Sequence, residues 1–219
     1  MTSSNFLRSI DMFSGLSDEL LQPIAKESES INLQRGDILF QEGDEPNDLY
    51  IVTIGRIAIG NKSFDGRESL VALMEPGDLF GEMPLFRSDG RSAEARALED
   101  SSVVVIPYSP VKNLYKNNPD LLWRVVDMLV DRLKSTDIAL ADTMFLDVTG
   151  RTAKRLLEMA GDLDEFQLPI TQEELAGMIG ASRERVNKSI SSFIKLGWIA
   201  QNGEKYIIID RKQLEIRST

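Results

Sequence analysis

Between Ile170 and Phe193 the chain reads Ile-Thr-Gln-Glu-Glu-Leu-Ala-Gly-Met-Ile-Gly-Ala-Ser-Arg-Glu-Arg-Val-Asn-Lys-Ser-Ile-Ser-Ser-Phe, and few folds accommodate such a run. Thr171 with Glu174 three residues later forms a capping box at the start of a helix. Leu175 and Ile179 stand on one face of that helix, and Gly180 closes it and makes the turn. Ser182 then caps a second helix, with Val186, Ile190 and Phe193 directed inward and Arg183, Glu184, Arg185 and Lys188 left outward near its N-terminal half. Two short helices around a tight turn, the second presenting cations at its leading end, is the shape that enters the major groove of DNA. Arginine donates in bidentate fashion to guanine O6 and N7 and glutamate accepts from a cytosine amino group, so this set is able to read bases as well as grip the backbone. The runs Trp198-Ile-Ala200 and Tyr206-Ile-Ile-Ile209, joined through Asn202-Gly203-Glu204, predict a β-hairpin after the second helix, which makes a winged helix-turn-helix.

The charge of the whole chain, -10, looks unsuited to a polyanionic partner. Its distribution answers the objection. Residues 147–219 hold 11 Lys plus Arg against 11 Asp plus Glu, and residues 1–146 hold 14 against 24, so the acidic excess lies entirely in front. Between Ala181 and Gly197, Arg183, Arg185, Lys188 and Lys195 face only Glu184, and the local field favours phosphate.

The 219 residues contain no cysteine and no histidine. Disulfides, thiolate metal sites, iron–sulfur clusters and the commonest zinc ligand are therefore excluded, and the usual nucleophile–base combinations reduce to carboxylates, lysines or hydroxyls with no convincing spacing. No enzyme, no metal and no prosthetic group is expected. The chain has no apolar run long enough to span a membrane and no secretory signal pattern at Met1-Thr-Ser-Ser-Asn-Phe-Leu-Arg8, so the expectation is a soluble cytoplasmic protein without a membrane partner.

Residues 6–28 read as short helices, with Ser17 as a capping residue. From Ile31 to about Pro107 short β-type runs are separated by turns: 37–40, 49–54, 56–60, 69–74 and 102–106, punctuated at Gly36, Gly43, Gly55, Gly66, Gly77 and Gly90. Many short strands at such intervals predict a sandwich or a barrel. A long helix follows, beginning near Asn118-Pro119-Asp120 and reaching about Met144 without an internal Pro or Gly. Leu122, Val126, Leu129, Leu133, Thr136, Leu140 and Thr143 recur at alternating steps of four and three, the seam two helices need to pair. Such a face could simply cover the helix's own β domain. A second edge, Leu121, Val125 and Met128, fits that role, and the presence of both edges favours a helix that covers its domain and pairs with another copy. Asp147-Val-Thr-Gly150 interrupts the helix, and a new one begins at Arg151 with Ala153, Leu156, Leu157 and Ala160 on its apolar face.

The segment Phe80-Gly-Glu-Met-Pro-Leu-Phe86, with Arg91-Ser-Ala93 after one turn, gathers what a phosphate ester needs. Backbone amides near Gly81, the Arg91 guanidinium and the Ser92 hydroxyl suit phosphate oxygens, and Glu82 suits a sugar hydroxyl. A solvated surface loop holds the same residue types, and spacing alone leaves that alternative open.

Taken together, Phe80-Gly-Glu82 through Arg91-Ser-Ala93, Phe145-Leu-Asp-Val-Thr-Gly-Arg151 and Gly180-Ala-Ser-Arg-Glu-Arg-Val186 resemble the cyclic-AMP receptor and fumarate/nitrate-reduction regulator family of transcription factors, along essentially the whole chain. The resemblance implies an α+β architecture: an N-terminal cyclic-nucleotide-binding β jelly-roll barrel at 1–117, a long dimerisation helix at 118–146 and a C-terminal winged helix-turn-helix at 147–219. It implies cyclic AMP as allosteric effector, with Gly81, Glu82, Met83, Arg91, Ser92 and Ala93 forming the phosphate cassette and Thr136 of the long helix meeting adenine. Asp137 stands where the enteric branch has a serine reaching the ligand of the opposite subunit, and Lys188 where that branch has arginine. The cross-subunit contact and the strictness of a TGTGA-like half-site are correspondingly in question.

The resemblance also implies a homodimer paired through Leu122, Val126, Leu129, Leu133, Thr136 and Leu140. It would place Thr171, Ser182, Arg183, Glu184, Arg185 and Lys188 on a near-palindromic duplex, with RNA polymerase as a further partner. Two rival readings stand beside it: a member answering to another ligand or to none, and a cyclic-nucleotide-binding module whose C-terminal helices engage protein. The iron–sulfur and haem-sensing branches need ligands this chain does not contain.

Overall fold

The computed structural model describes residues 3–62, 68–87, 89–168, 170–203 and 205–219. The turn expected at Asp65-Gly66, and Glu204 of the expected hairpin turn, lie outside the described residues. The chain divides into two compact units, Met1–Arg132 and Leu133–Thr219.

In the first unit, helices α1 (Ser4–Arg8) and α2 (Asp18–Glu27) precede the strands β1 (Glu29–Leu33), β2 (Ile38–Phe40), β3 (Asp48–Ile54), β4 (Ile57–Lys62), β5 (Glu68–Met74) and β6 (Leu79–Phe80). A one-turn helix α3 (Met83–Phe86), strands β7 (Glu94–Ala97) and β8 (Ser101–Pro107), helix α4 (Tyr108–Asn117) and a 3-10 turn at Pro119–Leu121 then lead into the long helix α5 (Leu122–Phe145). The strands form two four-stranded sheets, ordered β1-β8-β3-β6 and β2-β7-β4-β5.

The expected jelly-roll barrel is not what these strands build. Closure requires the last strand of a sheet to pair with the first, and here each sheet keeps two edges, β1 and β6 in one and β2 and β5 in the other. At one edge β6 is only two residues long, pairing Leu79 and Phe80 with Ile51 and Tyr50, too short to carry a ladder onward. The α+β character stands; the β part is a pair of open sheets sharing a core.

Alternation along the strands explains the layers. Tyr50 and Val52 of β3, with Val103 and Val105 of β8, point to one face, where they meet Ile57, Ala95 and Ala97 of the other sheet. The intervening Leu49, Ile51, Val104 and Ile106 point to the opposite face and pack under α1, α2 and α4 with Leu7, Leu21, Ile24, Val111 and Leu114. This sheet is covered on both faces, which is why its central strands read as unbroken apolar runs. Val125 is buried in the same helical layer, with Leu121 and Met128 packed beside it, so the second edge of the long helix covers its own unit as expected. The seam residues Leu122, Val126, Leu129, Leu133 and Leu140 stay exposed on the isolated chain.

In the second unit, the helix expected to begin at Arg151 begins earlier. Asp147 is the N-cap of α6 (Val148–Ala160), its carboxylate accepting from the Gly150 N–H at 2.8 Å, so the break in helix is only Leu146-Asp147. Burial of Val148, Ala153, Leu156 and Ala160 gives α6 its apolar face. The remaining elements are β9 (Glu165–Gln167), α7 (Gln172–Ile179), α8 (Arg183–Lys195), β10 (Ile199–Asn202), β11 (Lys205–Ile208) and α9 (Arg211–Arg217). The expected two-stranded wing is part of a three-stranded sheet ordered β10-β11-β9, with Phe166 and Tyr206 stacked at 5.8 Å. Among the described residues no helix is long and apolar enough to cross a membrane.

Candidate functional site

The residues expected to form a phosphate cassette gather around Arg91. The chain leaves β6, turns at Gly81 in the left-handed region (φ 78°), and enters α3 through Glu82. No side chain fits at Gly81: a Cβ there would stand 2.8 Å from Nη1 of Arg91 and 3.2 Å from Cδ2 of Tyr50. The Arg91 guanidinium is buried, 5% exposed, and its Nη1 donates to the Gly81 carbonyl at 3.1 Å and the Tyr108 hydroxyl at 3.2 Å. Its Nη2 donates to the Asp48 carbonyl at 2.8 Å and, more weakly, to the Tyr50 hydroxyl at 3.5 Å. The cation lies 4.2 Å from the centroid of the Phe40 ring and 5.3 Å from that of Tyr50, within the range of cation–π attraction.

Charge balance sets this cluster apart. Among the described residues no carboxylate forms a salt bridge with Arg91; Asp48 offers its backbone carbonyl, and burial pushes its carboxyl pKa up against the pull of the Arg91 charge. A guanidinium removed from water costs several kcal/mol unless compensated. Here neutral oxygens and ring faces compensate it, and Nε–H is left without a hydrogen bond among the described residues. A buried cation compensated in this way retains positive charge that suits an anion.

Glu82 is 1% exposed, and its Oε1 accepts from Nη1 of Arg132 on α5, while Nη2 of Arg132 donates to the Leu79 carbonyl. Arg132 is a site residue that its side-chain type alone does not mark. Its position gave a signal, since it lies four residues before Thr136 and so on the same helical face. Ser92 is exposed, with its hydroxyl 3.9 Å from the Met83 sulfur, and Met83 itself is exposed while Ala93 is buried. Thr136 and Asp137 lie farther along α5, in the second unit, both exposed. Gly81, Glu82, Met83, Arg91 and Ser92 are thus brought together, with Tyr50, Tyr108 and Arg132 as additions.

The helix-turn-helix forms as its caps dictate. The Thr171 hydroxyl accepts from the Glu174 N–H at 3.2 Å while the Glu174 carboxylate accepts from the Thr171 N–H at 2.7 Å, a complete capping box. Gly180 ends α7 at φ 69° and ψ 43°, and Ser182 caps α8 by accepting from the Arg185 N–H at 3.4 Å. Leu175, Ile179, Val186, Ile190 and Phe193 are buried, and Phe193 stacks on Trp198 at 5.6 Å, tying α8 to the residue that leads into β10. Arg151 of α6 donates to the Ile179 carbonyl at 3.0 Å and the Leu146 carbonyl at 2.7 Å, which fixes α7 against α6. Arg183, Glu184, Arg185 and Lys188 all project outward, and among the described residues none of them forms an ion pair.

An open β domain with a buried anion-seeking arginine, followed by a long helix and a winged helix-turn-helix, defines a ligand-responsive DNA-binding regulator. Comparison with known proteins agrees. Residues 30–118 match the family model described as cyclic nucleotide-binding domain, and residues 150–217 match the Crp-like helix-turn-helix domain. The chain is 33% identical over 214 residues to the CRP-like cAMP-activated global transcriptional regulator of Mycobacterium tuberculosis, covering 94% of this chain and 96% of that one. It is 31% identical over 176 residues to the cAMP-activated global transcriptional regulator Vfr of Pseudomonas aeruginosa, covering 76% and 82%. The catabolite activator protein of Thermus thermophilus superposes with a TM-score of 0.53 at 28% identity, covering 95% and 98%. FixK2 of Bradyrhizobium japonicum superposes with a TM-score of 0.80 over 88% of this chain and 98% of that one; at 19% identity it speaks for the fold alone. The chain belongs to the CRP/FNR family of DNA-binding transcription regulators, which are not enzymes.

Proposed function

We propose that the protein is a homodimeric transcription regulator that cyclic AMP switches allosterically between DNA-incompetent and DNA-competent arrangements. The observation that carries the ligand reading is the buried Arg91 guanidinium, which among the described residues has no carboxylate partner, set against the similarly buried Glu82. The cyclic phosphate takes up the Arg91 charge and the Ser92 hydroxyl, Gly81 allows the backbone to approach, and Met83 and Ala93 complete the cassette. The ribose hydroxyl donates to Glu82, while Thr136 and Asp137 meet the adenine. The cAMP-activated relatives support this choice of nucleotide.

In this reading residues 1–117 are the sensor, 118–146 the dimerisation helix and 147–219 the DNA-binding domain. The exposed seam of Leu122, Val126, Leu129, Leu133, Thr136 and Leu140 pairs two copies. The two α8 helices then stand about 34–36 Å apart, one turn of DNA, with Arg183, Glu184, Arg185 and Lys188 on base edges and backbone and Thr171 and Ser182 near phosphates. The nucleotide acts by binding the competent arrangement more tightly than the incompetent one, since equal affinity for both shifts nothing. The regulator works in the cytoplasm and meets RNA polymerase at its promoters. Titration of a duplex carrying a near-palindromic pair of half-sites, with and without cyclic AMP, tests the assignment: the nucleotide is expected to tighten binding. Unchanged DNA affinity together with no heat of cyclic AMP binding in calorimetry sinks it.

A further inference from the structure

We infer that Tyr108 is a positioning residue for the nucleotide phosphate, acting through Arg91 and Gly81. This rests on the cyclic-nucleotide reading above and deepens it. Tyr108 is the first residue of α4, directly after β8, and its backbone N–H is anchored to the Asn47 carbonyl at 2.9 Å. Its ring is buried, 5% exposed, and its hydroxyl stands between the two parts of the cassette that are farthest apart in sequence. The hydroxyl donates to the Gly81 carbonyl and accepts from Nη1 of Arg91, and the same Nη1 also donates to the Gly81 carbonyl. These three bonds close a ring.

The ring has two consequences for an incoming phosphate. It occupies the Nη1 end of the guanidinium, while the Asp48 carbonyl and the Tyr50 hydroxyl occupy Nη2, so that among the described residues Nε–H remains as the uncommitted donor. It also turns the Gly81 carbonyl toward the arginine, so the cassette backbone is oriented before any ligand arrives. A guanidinium held this way surrenders less rotamer freedom on binding than a free one. The arrangement needs a hydroxyl that gives and takes a hydrogen bond at once, which the neutral phenol does. Burial pushes the Tyr108 pKa up to about 12, so the proton stays in place at neutral pH.

The test is Tyr108→Phe in the full-length protein, which keeps the buried ring and removes only the hydroxyl. Cyclic AMP affinity is measured by calorimetry, folding by thermal unfolding without nucleotide, and the phosphate environment by the phosphorus-31 resonance of bound nucleotide at saturation. A folded variant with affinity lower by about tenfold or more and a displaced phosphorus resonance is expected, from the loss of one hydrogen bond to a charged donor. Equal affinity in a wild type that does bind cyclic AMP overturns the role of Tyr108 and leaves the ligand assignment intact. Weaker binding with an unmoved resonance also overturns it, because the hydroxyl then serves only the fold. A wild type that binds no cyclic AMP overturns both.

Discussion

Gly81→Ala probes the cassette at its tightest point. The residue sits at φ 78°, where an L side chain costs about 1–2 kcal/mol relative to glycine. The new Cβ would stand 2.8 Å from Nη1 of Arg91 and 3.2 Å from Cδ2 of Tyr50, so one of them must yield. The Tyr50 ring is packed between Phe40 at 5.6 Å and Phe80 at 5.4 Å in the shared core of the two sheets, and it cannot retreat without opening that core. The guanidinium therefore shifts, and Nη1 loses its bond to the Gly81 carbonyl, to the Tyr108 hydroxyl, or to both. A hydrogen bond from a charged donor contributes about 1.5–3 kcal/mol, so the cyclic AMP dissociation constant should rise by about 10- to 150-fold. Calorimetry on the purified dimer reads the affinity, and chemical denaturation reads the smaller backbone penalty. A folded Gly81→Ala variant whose dissociation constant stays within about twofold of wild type would refute the argument that steric pressure on Arg91 controls the phosphate site.

Other consequences are open to direct measurement. Arg183→Ala should cost about 1–3 kcal/mol on the cognate duplex and relax preference at one base pair; an equal loss on random duplex, read by fluorescence anisotropy, would recast Arg183 as a backbone contact. Leu133→Glu places a charge on the seam at a residue 61% exposed on the single chain, so sedimentation should find a folded monomer; a persistent dimer excludes the seam as the pairing surface. Stability should be insensitive to Tyr108 below pH 10, its unfolded-state pKa, and should fall as pH rises toward the folded value of about 12, where the native state holds a proton that the unfolded chain gives up. Alkaline denaturation of Tyr108→Phe should be less steep across that window, and identical curves for the two proteins would remove the assigned cause.

What the sequence made legible was local. Thr171, Glu174, Gly180 and Ser182 act on backbone groups within three or four residues, and the structure places every one of those caps where spacing put it. The two apolar edges of the long helix were legible for the same reason, since periodicity alone decides which residues share a face. Helix α4 was less so: Pro107 and Pro110 look like breakers, yet they fall at the cap and within the first turn, where the missing N–H costs nothing. Strand β7 escaped notice because Glu-Ala-Arg-Ala offers alternation but only alanine methyls for its buried face.

Sheet closure belongs to a different class of property. Whether strands end as a barrel or as two open sheets depends on pairings between segments far apart in the chain, and a two-residue β6 with the right composition for an edge or a centre does not announce which it is. The same distinction divides the cassette. Arg91 and Glu82 were legible because their side chains carry the chemistry, but two of the acceptors that hold Arg91 are the carbonyls of Gly81 and Asp48. Every residue has a carbonyl, so no residue identity marks which ones will converge on a guanidinium. Tyr50 and Tyr108 do carry an identity, yet on strand and helix-start positions their rings read as core and their hydroxyls as incidental. Only the fold reveals that those hydroxyls converge on one buried cation, and that convergence is what the proposed phosphate role of Arg91 builds on, with the orientation of the guanidinium set in advance.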